Sequence, residues 1–205
     1  PADHASHVFG FGPAGDLARS EADVLLVAGS RMGKLDVPYD TYWGDPKDKR
    51  LIQIDIDPRH FGVTRPLHLG IIADARAALD GIAARLRATD LGARDGADLA
   101  RYRKLDEQVQ AQMVEPILQW QGPGIHPAHA LGVIGATFGP DAVYTVDGGN
   151  TSLWAYSVLP PTRPHSYHSI LEMGMLGTGI PSAIGAKLGA PERDVVCITG
   201  DGAAG

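Results

Sequence analysis

Asp201, placed between Gly200 and Gly202, follows Thr199 and the short apolar run Val195-Val196-Cys197-Ile198 with its β-branched residues. Bounded by the turn signal at residues 190–193 and by Gly200, that run reads as a buried strand. A carboxylate just past its carboxyl end can meet a metal ion without side-chain crowding. A second group, Gly148-Gly149-Asn150-Thr151, follows the strand pattern of residues 142–147 and opens a helix through Ser152, Trp154 and Val158. Its glycines permit close approach, the N–H groups of a helix start favour an anion, and Asn150 and Thr151 add side-chain donors. The same residues would also make a plain turn with an Asn cap. A third group runs Gly174-Met175-Leu176-Gly177-Thr178-Gly179-Ile180-Pro181 into a mostly apolar helix. Its apolar residues are Ile180, Ala183, Ile184, Ala186 and Leu188, small residues at Ala183, Gly185, Ala186 and Gly189 let it lie close to a sheet, and Thr178 or Ser182 can cap it.

Together, the run from Gly174 to Lys187 and the later Gly200-Asp201-Gly202 resemble the diphosphate-domain signature of thiamine-diphosphate-dependent enzymes of the acetolactate synthase and benzoylformate decarboxylase group. By that resemblance Asp201 is a Mg2+ ligand, with magnesium bridging diphosphate oxygens. Gly202 and Ala203 offer backbone N–H groups, and Gly149, Asn150 and Thr151 bind the diphosphate from the other strand end. Gly174 matches the residue whose carbonyl accepts from the aminopyrimidine. Leu176 matches the bulky residue that bends the cofactor, where acetolactate synthases resemble one another in having Met; core packing is its other reading. Ala203-Ala204-Gly205 departs from the serine and aromatic residue that often follow Gly-Asp-Gly, which leaves the subgroup open and the metal ligand in place. The resemblance also implies an activating glutamate on a pyrimidine domain before Pro1 and a second metal-ligating Asn after Gly205. No catalytic residue is therefore assigned within this chain, and sites shared between subunits imply a homodimer or homotetramer.

The elements that must position these groups are strands alternating with helices, an α/β pattern of two parallel-sheet, three-layer domains. Residues 1–88 read as a Rossmann-like middle domain, 89–121 as a linker and 122–205 as the N-terminal part of a diphosphate-binding domain. In the first, a glycine-rich loop at residues 9–15 enters a short helix near 16–20, and Val24 to Gly29 is a buried strand. Residues 34–49 are loop, Leu51 to Pro58 is a second strand, and 69–72 a short third one. A helix follows over 74–87, with Asp74 as N-cap and Ala75, Ala78, Leu79, Ile82 and Leu86 on one face. In the linker Arg101, Arg103 and Lys104 read as a solvated helix face. In the last domain a helix over 128–138 turns Ala130, Leu131, Ile134 and Phe138 inward.

Asp55 and Asp57, closing the second strand, fit contact with a ribose or adenine, or equally a solvated strand end. Residues 22–31 and Gln53-Ile54-Asp55-Ile56-Asp57-Pro58 are similar to the middle domain of the same family, which carries FAD in acetolactate synthase and ADP in oxalyl-CoA decarboxylase. That resemblance marks Arg31, Asp55 and Ile56 as nucleotide-site candidates and leaves FAD an open cofactor. Residues 29–43, with Tyr39-Asp40-Thr41-Tyr42-Trp43, are also similar to sulfoacetaldehyde acetyltransferase, which keeps a phosphate-consuming acyl transfer open.

A net charge of −6 without a basic stripe gives no support to nucleic-acid binding, and no stretch has membrane-spanning length. The single Cys197 excludes an internal disulfide and fits a reducing, cytoplasmic setting. His165 and His168 lack metal-ligand spacing and read as loop residues near a cofactor mouth, while His126 and His129 read as loop and helix-start residues. The start at Pro1 and the end directly after a site motif suggest a piece of a longer polypeptide. The activity implied by the resemblance is decarboxylation of a small-molecule 2-oxo acid and ligation of the resulting enamine to a second carbonyl. A simple benzoylformate-type decarboxylase and a non-catalytic nucleotide-binding module are the alternatives.

Overall fold

The computed structural model describes residues 12–33, 42–92, 96–159, 161–170 and 174–205. Of the expected entry loop at 9–15, residues 9–11 lie outside them, as do the first part of the loop at 34–49 and most of the 39–43 tract, while Pro13 to Gly15 already belong to the first helix, Pro13 being suited to a helix start. The chain forms two compact units, one of residues 10–103 and one built on 104–205. Each carries a three-stranded, all-parallel sheet with helices, the expected α/β class.

In the first unit, α1 (Pro13–Glu21) leads to β1 (Val24–Ala28), β2 (Arg50–Asp55), β3 (Leu69–Ile72) and α2 (Ala75–Arg87). Sheet order is β1-β2-β3, with Leu25 opposite Leu51 and Ile54 opposite Ile71. The central β2 buries Leu51, Gln53, Ile54 and Asp55. β1 is not the buried strand that its apolar run predicts: it alternates between exposed and half-buried residues, having β2 as its one strand neighbour among the described residues. The second strand ends at Asp55 rather than Pro58, since Asp57 accepts the Arg59 N–H and starts a 3-10 turn at Pro58–His60. Asp74 caps α2 through the Ala77 N–H at 2.9 Å, while Leu79 and Leu86 are exposed. The α1 carboxyl end is closed by Lys49, whose Nζ donates to the carbonyls of Arg19, Ser20 and Ala22 at 2.6–2.7 Å. A cation at a helix carboxyl end satisfies orphan carbonyls and opposes the helix dipole.

The division between units falls inside α3 (Ala97–Val109), within the stretch read as linker. Arg101 does not stand on a merely solvated face: its guanidinium pairs with Glu21, which also accepts the Tyr102 hydroxyl at 2.7 Å. Thus α3 begins as part of the first unit. A π turn at Gln110–Val114 and the short α4 (Glu115–Leu118) follow.

The second unit continues with α5 (Pro127–Phe138), β4 (Val143–Val146), α6 (Asn150–Val158), β5 (Tyr167–Ser169), α7 (Gly179–Gly189), β6 (Val195–Ile198) and α8 (Asp201–Ala204). Pro127 starts α5 behind the His126 N-cap, and Gly139 at φ +71° ends it. On α5 the buried residues are Ala128 and Leu131, with Ile134 packed beside them, whereas the expected inward Phe138 is 42% exposed. Sheet order is β5-β4-β6. The central β4 is buried along its whole length and anchors a core of Leu131, Ala142, Tyr144, Val146, Ala155, Leu159 and Ile198. β5, expected as loop around His168, pairs with β4 through Tyr144–Tyr167 and Val146–Ser169. On α7 Gly179 is buried and Ala183 and Ala186 are half-buried, whereas Gly185 and Gly189 are exposed and Ile180, Ile184 and Leu188, spaced one turn apart, point outward. Among the described residues no helix is long and apolar enough to cross a membrane.

Candidate functional site

β4 and β6 are parallel neighbours with Val146 opposite Ile198, so both release the chain at the same sheet edge, where ligands bind in open α/β sheets. From β4 the chain turns through Asp147, Gly148 and Gly149 into α6; from β6 it turns through Thr199 and Gly200 into α8. A Cβ on Gly200 would lie 3.2 Å from Thr151 Oγ1, and one on Gly177 would lie 3.8 Å from the Ala203 carbonyl. One on Gly148 would stand 2.8 Å from the Met175 carbonyl oxygen and 3.1 Å from Leu176 Cδ2. The three loops singled out from sequence therefore converge, and at Gly148, where a Cβ would meet backbone, only a residue without a side chain fits.

The convergence leaves backbone donors and one carboxylate facing outward. Gly149 sits at φ +80° ahead of α6, and no side chain caps that helix start or places an acid in its first turn. Asn150, Asp201 and Gly202 are exposed, and the Cβ positions of Gly149, Gly174 and Gly202 meet nothing within 4 Å. Ala203 is buried, so its contribution to an anion is limited to the backbone. Leu176 is 54% exposed rather than buried in the core. This is an oxygen- and N–H-rich recess suited to a diphosphate with a hard cation, which takes one or two carboxylates and completes its shell with phosphate oxygens and water. Among the described residues no three His, Cys, Asp or Glu side chains gather as a metal cluster.

The start of α7 is arranged differently, and sequence reading missed the residue responsible. Neither Thr178 nor Ser182 caps that helix through its side chain. Asp147, at the end of β4 and with no exposed surface, accepts the N–H of Gly179 on Oδ2 at 2.7 Å. Its Oδ1 accepts those of Gly148 at 2.7 Å and Gly177 at 3.0 Å. Burial pushes its carboxyl upward, but the N–H groups of Gly179, Gly148, Gly177 and Thr178 outweigh that and hold it below the ordinary value. Thr145, two residues earlier on the same face of β4, donates to the Gly179 carbonyl at 3.1 Å. The signal was present in the sequence: an acid ending a strand that has no water to face must find N–H partners, and a glycine-rich loop can supply them.

In the first unit Arg31, Asp55 and Ile56 do come together, lining a cavity of about 370 Å³ with Gly29, His60, Asp74 and Ala75. Asp55 is already engaged there, accepting the Asp57 N–H at 2.9 Å and the His60 Nδ1–H at 3.0 Å. The Asp57 N–H, with help from His60, holds its carboxyl below the ordinary value despite burial. Ile56 is largely exposed.

The histidines divide by role. His126 accepts the Ala128 N–H and stacks edge-on against Trp154 with ring centres 4.8 Å apart, and His129 bonds to the Leu118 carbonyl. His165 adopts φ +57°. His168 lines a groove at the β5 edge with Ser169, Thr178 and Ser182.

Comparison with known proteins matches two parts of the chain to one family. Residues 1–82 match the thiamine pyrophosphate enzyme central domain, and residues 147–205 match the thiamine pyrophosphate enzyme C-terminal TPP binding domain. A sulfoacetaldehyde acetyltransferase of Rhodobacter capsulatus is 33% identical over 207 residues, covering 91% of this chain and 34% of that protein. The acetolactate synthase large subunit of Corynebacterium glutamicum is 28% identical over 186 residues, covering 90% and 29%. A probable 2-ketoarginine decarboxylase of Pseudomonas aeruginosa is 33% identical over 186 residues, covering 89% and 31%. The chain spans about a third of the length of these relatives.

Proposed function

Because the chain belongs to the thiamine pyrophosphate enzyme family, matching its central domain and its C-terminal TPP binding domain, we propose that the whole protein is a thiamine-diphosphate- and Mg2+-dependent enzyme. It decarboxylates a small 2-oxo acid and joins the product to a second carbonyl, as acetolactate synthase does. The observation that carries this reading is the meeting of the uncapped α6 start with Gly200 and Asp201 at one sheet edge. When bound, the cofactor supplies a nucleophilic carbon and a sink for the electrons of the breaking carbon–carbon bond.

The chain's own residues hold and orient it. The first N–H groups of α6, with the Asn150 and Thr151 side chains, bind the diphosphate; the backbone of Gly202 and Ala203 approaches from the β6 side. Asp201 takes the magnesium ion, because the other carboxylate at this edge, Asp147, is occupied by N–H groups. The Gly174 carbonyl accepts from the aminopyrimidine. Leu176, half exposed beside Gly148, supplies bulk against the cofactor.

The protein acts as a homodimer or homotetramer, with its activating acid on another domain. The cavity lined by Arg31, Asp55 and Ile56 is the place for a nucleotide, although the family descriptions name thiamine pyrophosphate alone and give FAD no support. A second reading, an acetyl transfer from sulfoacetaldehyde, is favoured by the similarity to the Rhodobacter capsulatus protein over nearly the whole chain. Simple decarboxylation has the 2-ketoarginine decarboxylase similarity behind it.

Acid release and chromatographic identification of small molecules from the full-length protein tests the reading. Thiamine diphosphate is expected. If none is released and added thiamine diphosphate with magnesium does not bind, the proposal fails and a nucleotide-binding module takes its place. Turnover of pyruvate alone, compared with turnover of sulfoacetaldehyde in the presence of phosphate as acyl acceptor, separates the two activities.

A further inference from the structure

We infer that β4 clamps the 174–179 loop through Thr145 and Asp147, and that Asp147 is a positioning residue for cofactor binding. The inference rests on the thiamine-diphosphate reading above and adds a role for two side chains that never face the recess.

The Gly179 peptide is held from both sides by one strand. Its N–H goes to Asp147 Oδ2 and its C=O receives the Thr145 hydroxyl. Its Cα is equally confined: a Cβ there would lie 2.9 Å from Asp147 Oδ2, 3.1 Å from Asp147 Cβ and 3.3 Å from Cys197 Sγ. Gly177, at φ +83°, is tied to the same carboxylate. The clamp fixes the loop's last residues and therefore the height at which Leu176 and Gly174, a few residues earlier, meet the recess.

A buried carboxylate is retained only where its oxygens are satisfied, and this one is satisfied by N–H donors alone. An amide in its place would turn an N–H donor toward another N–H. The same arrangement explains why α7 is not the anion site: a negative charge already sits at its start, so the diphosphate is directed to α6.

In the full-length protein, Asp147→Asn and Thr145→Val are compared with the unmutated enzyme. The readouts are the thiamine diphosphate Kd with magnesium by equilibrium dialysis, the KM for the 2-oxo acid, and the unfolding midpoint of the apoprotein. Asp147→Asn is expected to raise the cofactor Kd about 10- to 100-fold and Thr145→Val about threefold, with KM unchanged. A merely structural residue would lower the midpoint and leave the Kd of the folded fraction alone; that result overturns the inference. If Asp147→Asn does not fold, Thr145→Val decides, and a parental Kd overturns the inference.

Hydrogen exchange in the unmutated protein reads the clamp without cofactor. Protected Gly177 and Gly179 amides are expected, and exchange as fast as an open loop overturns it. Absence of thiamine diphosphate binding by unmutated protein with protected amides would instead sink the proposed function and leave only the loop anchor standing.

Discussion

Gly148 and Met175 approach so closely that a Cβ on Gly148 would stand 2.8 Å from the Met175 carbonyl oxygen. The contact joins the loop after β4 to the loop before α7. It is backbone against glycine, so neither partner can rotate away. Gly200 has a similar neighbour in Thr151 Oγ1 at 3.2 Å, but that neighbour is a side chain free to change rotamer.

Gly148→Ala is accordingly expected to destabilise the protein by about 1–3 kcal/mol, the range for overpacking against a rigid surface. Gly200→Ala is expected to cost less. Urea unfolding of the two variants checks the order, and equal costs would mean the loops yield together.

Asp201→Asn in the full-length protein removes the exposed carboxylate at the recess while keeping its shape. Cofactor retention in the presence of magnesium is expected to fall by on the order of a hundredfold, since a metal bridge is worth several kcal/mol. Equilibrium dialysis with and without a chelator measures it. If the variant's affinity responds to chelation as the parent's does, the metal is held elsewhere.

Glu21 is held down to about 2 from its ordinary 4.5 by hydrogen bonds from Arg101 and then Tyr102. A depressed folded-state value means its contribution is present above the unfolded value and is lost as pH falls from 4.5 toward about 2. Glu21→Gln should flatten that part of the acid-unfolding profile of the first unit and leave the profile above pH 4.5 parallel to the parent's. A variant with the parental acid slope would show that this exposed cluster contributes nothing measurable.

Lys49→Met keeps the aliphatic stem and removes the ammonium that meets the Arg19, Ser20 and Ala22 carbonyls. The loss should be about 1 kcal/mol, the size of a charge at a helix carboxyl end. Urea titration measures the loss, and added salt should shrink the difference between parent and variant only modestly because the carbonyls are touched directly.

Local chemistry made much of this protein legible in its sequence. Short β-branched runs between turns placed the strands, with β6 matching Val195–Ile198 to the residue. A capping signal placed α2 behind Asp74, because a cap is satisfied within a few residues, whereas the His126 cap of α5 reads in sequence only as a loop residue. The glycine groups around 149, 177 and 201 were visible as groups, since close approach and positive φ restrict residue type wherever they occur.

What the sequence could not show was decided by neighbours distant along the chain. Strand order made β1 an edge and drew Tyr167–Ser169 into the sheet beside β4. Helix α7 turned Gly179, Ala183 and Ala186 toward the protein and its isoleucines outward, an outcome set by how close the sheet lies and not by apolar spacing. Above all, Asp147 became the cap of a helix that starts more than thirty residues later. Its role depends on β4 and β6 ending side by side, and a hydrogen bond across that distance leaves no periodic trace in sequence because only folding brings its two ends together.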